Sequence, residues 1–494
     1  MRVRPNERPR WTLGQVAQEF VGATQTGDAS VTGISLATAD VQDGDLFAAL
    51  PGATTHGVRF VDQALAAGAV AVLTDPVGAE SLPAAVPRVV VGEPRAELAA
   101  FAAEFYGHRS REFVTVGITG TQGKTTTSYL AQAALGSADS AVIGTIGTQI
   151  KGVPAQSALT TPEAPALQAL FAVMAEEQVK ACVMEVSSHA IVQGRINGFT
   201  FDSAVFLNLG RDHLDFHHDL ESYFAAKAEL FTREHARHAV INIDDPHGVR
   251  LAADTELATT TFSTQGNPAD WRAVNLRPDR LGSGVTLVGP DGVETEMTVP
   301  LPGAFNVSNA VAAVVALVSQ GFDLPELVAG IATSPGVPGR MQRVHGGQPF
   351  TAVVDYAHKP EAIEAVLTAL RPVTAGRLIV VLGAGGDRDR GKRPIMGQVA
   401  SSLADVLIVT DDNPRNEDPA TIRAAVLAGA QNSVAQTTEI ADRREAISAA
   451  VAQARPGDTV VIAGKGHEQG QQVGDTLYPF DDREVLLELL GELP

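Results

Sequence analysis

The sequence predicts an α/β protein of three domains, and three observations predict it. From residue 113 onward, apolar strand candidates alternate with helical patterns, which implies parallel sheets covered by helices on both faces. The apolar run at 113–116 leads directly into Gly117-Ile-Thr-Gly120-Thr121-Gln122-Gly123-Lys124-Thr125-Thr126, a strand passing into a glycine-rich loop that opens a helix. Pro335-Gly-Val-Pro-Gly339 then separates a second strand–helix series from the first. A chain of 494 residues is long enough for three domains. The expected division is an N-terminal unit 1–110, a central P-loop parallel-sheet ATPase domain 111–337, and a C-terminal Rossmann-like, doubly wound domain 338–494.

In chain order, residues 43–52 read as turn, strand and turn, 61–67 as a short helix closed by Gly68, 70–73 as a strand, and 97–106 as an amphipathic helix. Strands are expected at 141–143, 181–184, 203–207 and 239–243. Residues 255–300, rich in turns and β-branched alternation, predict an antiparallel excursion, and 306–319 return to helix. Beyond the Pro-Gly linker, strands are expected at 352–354, 378–381, 406–409 and 459–462, with helices between. Ligands bind such sheets in loops at the carboxyl ends of the strands.

The formal net charge of −20 argues against nonspecific nucleic-acid binding, which needs a basic surface. No run of about 18 uninterrupted apolar residues predicts a membrane span, and no apolar signal core follows the basic N-terminus. Cys182 is the sole cysteine, so no intrachain disulfide can form and a cytoplasmic location is expected. A monomer acting on small molecules is the expectation for partners.

The loop at 120–126 carries the strongest chemical signal. Backbone N–H groups in such a nest, the N-terminal end of the following helix and the charge of Lys124 together cradle a nucleotide triphosphate, and a Thr125 or Thr126 hydroxyl can reach Mg²⁺. The spacing departs from the usual P-loop, since Ile118 stands where its first glycine is expected. Glu185 ends a strand in Met184-Glu185-Val-Ser187-Ser188-His189. A lone strand-end carboxylate is ordinarily solvated, but Mg·ATP needs one on a neighbouring strand. The next strand closes with Asn208-Leu-Gly-Arg-Asp212-His213-Leu-Asp215-Phe-His217, a crowd of polar side chains that is costly unless used. His213 there reads as a metal ligand or as a hydrogen-bonded structural histidine. Lys227 lies in an aromatic-flanked helix. Its default reading is a solvated lysine; a buried one beside Mg²⁺ must lose or change its charge, and carbamylation is one way.

Three cation-bearing motifs follow successive strands of the last unit: Gly385 to Pro394, Asp411-Asp412-Asn413-Pro414-Arg415, and Gly464-Lys465-Gly466-His467-Glu468. Arginine suits two-pronged grip of a carboxylate, and Glu468 suits an ammonium group, so this face reads as an amino-acid site.

With these residues in place the chain resembles the Mur ligases, the ATP-dependent amide-forming enzymes of peptidoglycan precursor synthesis, over nearly its whole length. The family loop Gly-Thr-Asn-Gly-Lys-Thr-Thr stands here as Gly120, Thr121, Gln122, Gly123, Lys124, Thr125 and Thr126. The resemblance implies ATP and Mg²⁺ as cofactors. It implies Lys124, Glu185, His213 and a carbamylated Lys227 as catalytic residues, with Thr125, Glu185, His213 and Lys227 around the metal. Asn306, Arg340 and Asp355 match further nucleotide-site motifs, as does Asn309. Leu36, Thr38, Ala53, Thr54, Thr55, Thr160, Thr161, Ser187, Gln193 and Arg195 fall where the family holds a UDP-muramoyl-dipeptide, although Ala37-Thr38-Ala39 replaces the usual Asp-Ser-Arg. The resemblance is closest to members adding the third residue of the stem peptide. It implies that Arg388, Asp412, Asn413, Pro414, Arg415, Gly464 and Glu468 hold meso-2,6-diaminopimelate. Three alternatives stay open: lysine as the added residue, a folate polyglutamate ligase, and a noncatalytic nucleotide-binding partner protein. The last predicts damaged metal ligands; the folate ligase would lack the N-terminal unit.

Overall fold

The computed structural model describes residues 3–52, 55–155, 159–279, 282–431 and 433–492, so the expected contacts at Ala53 and Thr54 lie outside the described residues. The chain forms two compact units, Met1–Trp271 with Ala312–Leu327, and Arg272–Val311 with Val328–Pro494.

Besides the short antiparallel pair Trp11–Thr12 with Ser30–Val31, two larger sheets carry strands of the first unit. One orders its strands Thr24–Thr26, Arg88–Val90, Ala71–Thr74, Asp45–Ala49, Gly33–Ser35. All neighbours are parallel except the first pair. The helix Pro94–Phe105 starts earlier than the apolar pattern indicated, because Pro94 takes the first helical turn, where its missing N–H is not needed. Leu98, Phe101 and Phe105 of this helix share a core with Leu46, Leu73 and Val89. Arg4, which no sequence pattern marked, is buried there. It donates to Ile34 O (2.8 Å), Asp45 Oδ2 (2.9 Å) and the Tyr106 hydroxyl (2.5 Å), which ties the amino-terminal segment to the sheet.

The second sheet orders Val153–Ala155, Gly147–Ile150, Ser140–Gly144, Ala181–Glu185, Val114–Thr119, Ser203–Phe206, His238–Asn242, Ala258–Ser263. It is parallel from Ser140–Gly144 onward, as the alternating pattern requires. The antiparallel edge pair Gly147–Ile150 and Val153–Ala155 was not anticipated. Ala258–Ser263 is a correction: it pairs in parallel with His238–Asn242, although the region was expected to be antiparallel. Its run Thr259-Thr260-Thr261 lacks the continuous apolar signature of a parallel strand, because the side chains there are only half-buried. The antiparallel excursion comprises Trp271–Asp279, Gly282–Val288 and Glu294–Val299, which apart from Trp271 belong to the second unit. Cys182 is buried in the core with Met184, Phe171 and Phe206, and burial pushes its thiol pKa up, so it is not a reactive thiolate.

In the second unit the sheet runs Gln342–Arg343, Thr351–Asp355, Thr459–Ala463, Leu378–Leu382, Val406–Val409, Gln436–Glu439, parallel except for the first pair. Helices Arg443–Gln453 and Asp482–Gly491 supply Ala446, Ile447, Val485 and Leu486 to a core with Ile379 and Val381. The short edge strand Gln342–Arg343 escaped the sequence reading, and so did two further elements. Gln436–Glu439 is too polar, and the hairpin Gly470–Val473 with Thr476–Pro479 is largely exposed. Among the described residues no helix is long and apolar enough to cross a membrane.

Candidate active site

Strand Val114–Thr119 delivers the glycine-rich loop, and helix Lys124–Leu135 leaves it. Gly123 caps that helix with φ of 90°, a left-handed conformation that costs an L-residue about 1 kcal/mol, so glycine is needed here. Asn208, at the end of the adjacent strand, locks the loop. Its Oδ1 accepts from Thr121 N (3.1 Å) and Gln122 N (3.0 Å), and its Nδ2 donates to Gln122 O (3.2 Å). Thr125 and Thr126 are buried in the first helical turn.

Two lysines converge on this loop. Lys124 Nζ donates to Gly120 O at 2.8 Å, and Lys227 Nζ donates to the same carbonyl at 3.1 Å and to Thr119 Oγ1 at 3.5 Å. Lys227, on helix Leu220–Ala228, is 1% exposed, which disposes of its default reading as a solvated lysine. Burial, reinforced by the Lys124 charge, holds its pKa well below the usual lysine value. Tyr223 was singled out only as an aromatic flank. In the structure its ring lies 4.4 Å from Lys227 Nζ, and its hydroxyl is 3.4 Å from Thr121 Oγ1.

Glu185 is 1% exposed. Its Oε1 accepts from Thr145 N (2.8 Å) and its Oε2 from the Thr145 hydroxyl (3.0 Å). Gly144 leaves the room: a Cβ there would lie 2.1 Å from Glu185 Oε1. Thr160 and Thr161 sit beside this strand end. Thr145 Oγ1 is 3.2 Å from Thr160 Oγ1, and Thr161 Oγ1 donates to Glu185 O (2.8 Å) and accepts from Ser187 N (3.1 Å). Arg195 donates to Thr161 O (3.0 Å) and pairs with Glu163 at 3.0 Å. Ser187 caps the short helix Ser188–Val192 and Gln193 ends it. The structure therefore gathers Thr160, Thr161, Glu185, Ser187 and Arg195 around one strand end, with Gln193 at the far end of the helix that follows. In the N-terminal sheet, Leu36 packs against the core, Thr38 opens a helical turn, and Thr55 O accepts from Gly52 N (3.1 Å).

His213 has φ of 51° and a half-exposed side chain; its Nε2 is 3.4 Å from Asp212 Oδ2, and its ring is 4.8 Å from His189. Among the described residues no group of three His, Cys, Asp or Glu is arranged to hold a metal. The carboxylate nevertheless fits one. Each Glu185 oxygen accepts a single hydrogen bond from Thr145, and a carboxylate oxygen has two lone-pair sites, so a hard cation such as Mg²⁺ has a ready ligand.

The remaining site residues lie in the second unit. Asn306 Nδ2 donates to Pro302 O (2.8 Å), and its Oδ1 accepts from Asn309 Nδ2 (3.3 Å). The Arg340 guanidinium lies 4.3 Å over the Tyr356 ring. Asp355 accepts from Met341 N (2.6 Å) and Ala357 N (2.7 Å), while burial raises its pKa. His358 and His467 flank Tyr356, and burial pushes both down to about 4, leaving them neutral near pH 7.

The three cation-bearing loops sort their charges. Arg390 and Arg393 both pair with Glu417. Among the described residues the Arg388 side chain donates to Asp387 O (3.3 Å) and the Arg415 side chain to Gly386 O (2.7 Å). Among the described residues neither guanidinium is in an ion pair. Arg415 also has φ of 51°, and hairpin backbone holds it there: its N donates to Gln472 O (3.1 Å) and its O accepts from Gly474 N (2.7 Å). Asn413 links the next loop, donating to Glu468 Oε2 (2.8 Å) and accepting from Lys465 Nζ (3.1 Å) and Gln472 N (2.9 Å). Glu468 Oε2 also accepts from the fully buried Lys465 at 3.2 Å. Gly464 (φ 119°) must be glycine, since a Cβ would meet Asp412 Oδ2 at 2.6 Å. Pro414 stands between Asn413 and Arg415 and carries the chain between their two sets of contacts.

A nucleotide-type loop with a buried lysine and carboxylate in one unit, and in the other an α/β sheet whose loops present arginines outside ion pairs among the described residues, point to the class of ATP-dependent ligases. Comparison with known proteins agrees. The Mur ligase family catalytic domain matches residues 30–106, the Mur ligase middle domain 118–317, and the Mur ligase glutamate ligase domain 339–466. The UDP-N-acetylmuramoyl-L-alanyl-D-glutamate–2,6-diaminopimelate ligase of Streptomyces coelicolor is 50% identical over 97% of this chain and 96% of its own. The protein of that name from Corynebacterium glutamicum is 46% identical over 96% of this chain and 94% of its own. A solved structure of a UDP-N-acetylmuramoyl-L-alanyl-D-glutamate–2,6-diaminopimelate ligase superposes with a TM-score of 0.66 at 36% identity, covering 93% of this chain and 94% of that one. The chain belongs to the Mur ligase family, whose members are ATP-dependent amide-bond-forming ligases.

Proposed function

We propose that this protein adds meso-2,6-diaminopimelate to the D-glutamate γ-carboxylate of UDP-N-acetylmuramoyl-L-alanyl-D-glutamate, through an acyl phosphate formed from ATP. The observation that carries the choice of amino acid is the pair Arg388 and Arg415, guanidinium groups without a carboxylate partner among the described residues, on the same strand-end face as Glu468. Diaminopimelate offers a second carboxylate at its far end, where lysine has none. Arg415 is half-buried, and a half-buried cation without a carboxylate partner among the described residues selects against lysine; Arg388 is exposed and adds a second guanidinium at the rim. We read residues 1–110 as the unit for the UDP end, 111–337 as the ATP unit and 338–494 as the amino-acid unit of a cytoplasmic monomer.

In this reading the loop amides and Lys124 hold the transferring phosphoryl and stabilise its charge. Glu185, His213 and Thr125 would hold Mg²⁺, which when bound neutralises phosphate charge. Thr160, Thr161, Ser187, Gln193 and Arg195 hold the muramoyl-dipeptide. The amine then attacks the acyl carbon, a new C–N bond forms, and phosphate leaves. No side chain serves as a covalent nucleophile.

Lys227 follows from its protonation. Burial and the Lys124 charge favour the neutral amine over the ammonium, and a neutral amine keeps its lone pair, adds to CO₂ and releases a proton to give an anionic carbamate. Incubation with ¹³C-bicarbonate is expected to give a protein-bound carbamate carbon signal that disappears in Lys227→Ala. A signal of equal intensity in the variant rejects the assignment.

Phosphate release tests the function directly. With ATP and the UDP-muramoyl-dipeptide, turnover is expected with meso-diaminopimelate and far less with L-lysine. Equal use of both would overturn the reading of the amino-acid site, and no release with the dipeptide and any amino acid would overturn the proposal.

A further inference from the structure

The amino-acid loops of the second unit share a buried anchor. Arg443 opens helix Arg443–Gln453, Asp482 opens helix Asp482–Gly491, and both are 0% exposed. They form a two-pronged ion pair, with Arg443 Nε 2.7 Å from Asp482 Oδ1 and Nη2 2.7 Å from Oδ2. The remaining reach of the guanidinium goes to main chain. Nη1 donates to Asp411 O (3.2 Å) and Nη2 to Ala463 O (3.1 Å). These two carbonyls are not arbitrary points of the backbone. Asp411 directly precedes Asp412-Asn413-Pro414-Arg415, and Ala463 directly precedes Gly464-Lys465-Gly466-His467-Glu468. One rigid, planar cation therefore sets the spacing between the two loops from underneath.

Stability alone does not account for this arrangement. A buried ion pair costs much desolvation, and well-packed apolar side chains of the same volume would hold two helices as well or better. Apolar side chains could not grip two carbonyls at the feet of two loops, and a planar fork of fixed donors can.

We propose that Arg443, oriented by Asp482, is a positioning residue for amino-acid selection: it fixes the Arg415 loop against the Glu468 loop. The idea rests on the reading of those loops as the amino-acid site. Arg443 touches no substrate in this reading; it acts through Asp411 O and Ala463 O. A shift of about 1 Å in catalytic or binding groups costs up to about a hundredfold, which sets the size of effect to look for.

The test uses the full chain with Arg443→Lys and Asp482→Asn, each checked for folding by circular dichroism and a thermal melt. Lysine keeps the charge and loses the fork; asparagine keeps the shape and weakens the pair. Expected is a rise of about ten- to a hundredfold in KM for meso-diaminopimelate, with a smaller preference over L-lysine, while KM for ATP and for the UDP-muramoyl-dipeptide stays within about twofold. A role in folding alone would lower the active fraction, and so kcat for all substrates together. An unchanged amino-acid KM in a folded variant, or an equal change in all three KM values, overturns the proposal. If Arg443→Lys does not fold, Asp482→Asn carries the same measurement. The wild-type assay separates this idea from the reading beneath it. Should wild type prefer another amino acid, the diaminopimelate assignment falls, and the KM for that amino acid in the variants still decides the role of Arg443.

Discussion

Lys124→Ala is expected to lower turnover by about a hundred- to a thousandfold or more while the protein stays folded. The ammonium lies at the glycine-rich loop, 2.8 Å from Gly120 O, and losing a donor aimed at developing charge costs about two to three orders of magnitude or more in phosphoryl and acyl transfer. Folding should survive, because the loop is held by other groups. Asn208 ties Thr121 and Gln122, and Gly120 O still accepts from Lys227. The measurement is phosphate release and amide formation, with far-UV circular dichroism as the control. Amide formation near the wild-type rate in the folded variant would remove Lys124 from the mechanism.

Arg415→Ala should lose about thirtyfold to a few thousandfold in kcat/KM for meso-diaminopimelate while ATP binding is unchanged. Truncating one partner of a desolvated, hydrogen-bonded charge pair costs about 2–5 kcal/mol, and every 1.4 kcal/mol is tenfold. The structure makes the variant a clean one. Alanine tolerates the left-handed backbone at this position no worse than arginine does, and the hairpin bonds to Gln472 O and Gly474 N are main-chain bonds that persist. The side chain gives up a single internal contact, to Gly386 O. Titration with nucleotide by calorimetry, alongside amino-acid kinetics, separates the two sites. A parallel loss of ATP affinity, or no loss of diaminopimelate activity, would contradict the assignment.

Much of the fold is visible in local pattern. The strands at Val114–Thr119, Ala181–Glu185, Leu378–Leu382 and Thr459–Ala463 are near-continuous apolar runs, because both faces of a central parallel strand are buried. Where one face is solvated or the strand lies at an edge, the signal fades. Gln436–Glu439, Gln342–Arg343 and the hairpin after Gly470 went unread, and Ala258–Ser263 was read with the wrong direction. Strand direction depends on the partner, which pattern does not name.

The site divides along the same line. The chain by itself determined the chemistry: a glycine loop with Lys124, a strand-end Glu185, and arginines in loops after successive strands, since residue types and their order along strand ends are local facts. Only the tertiary structure decided the state of each group. Lys227 is buried against Lys124 and Tyr223, which holds its pKa well below the usual lysine value; Glu185 is seated by Gly144 and Thr145; Glu468 is already engaged by Lys465 and Asn413, and Arg443 reaches beneath two loops from a distant helix. Desolvation and pairing arise from residues far apart in the chain, so protonation and availability are properties of the packed molecule that no local pattern records.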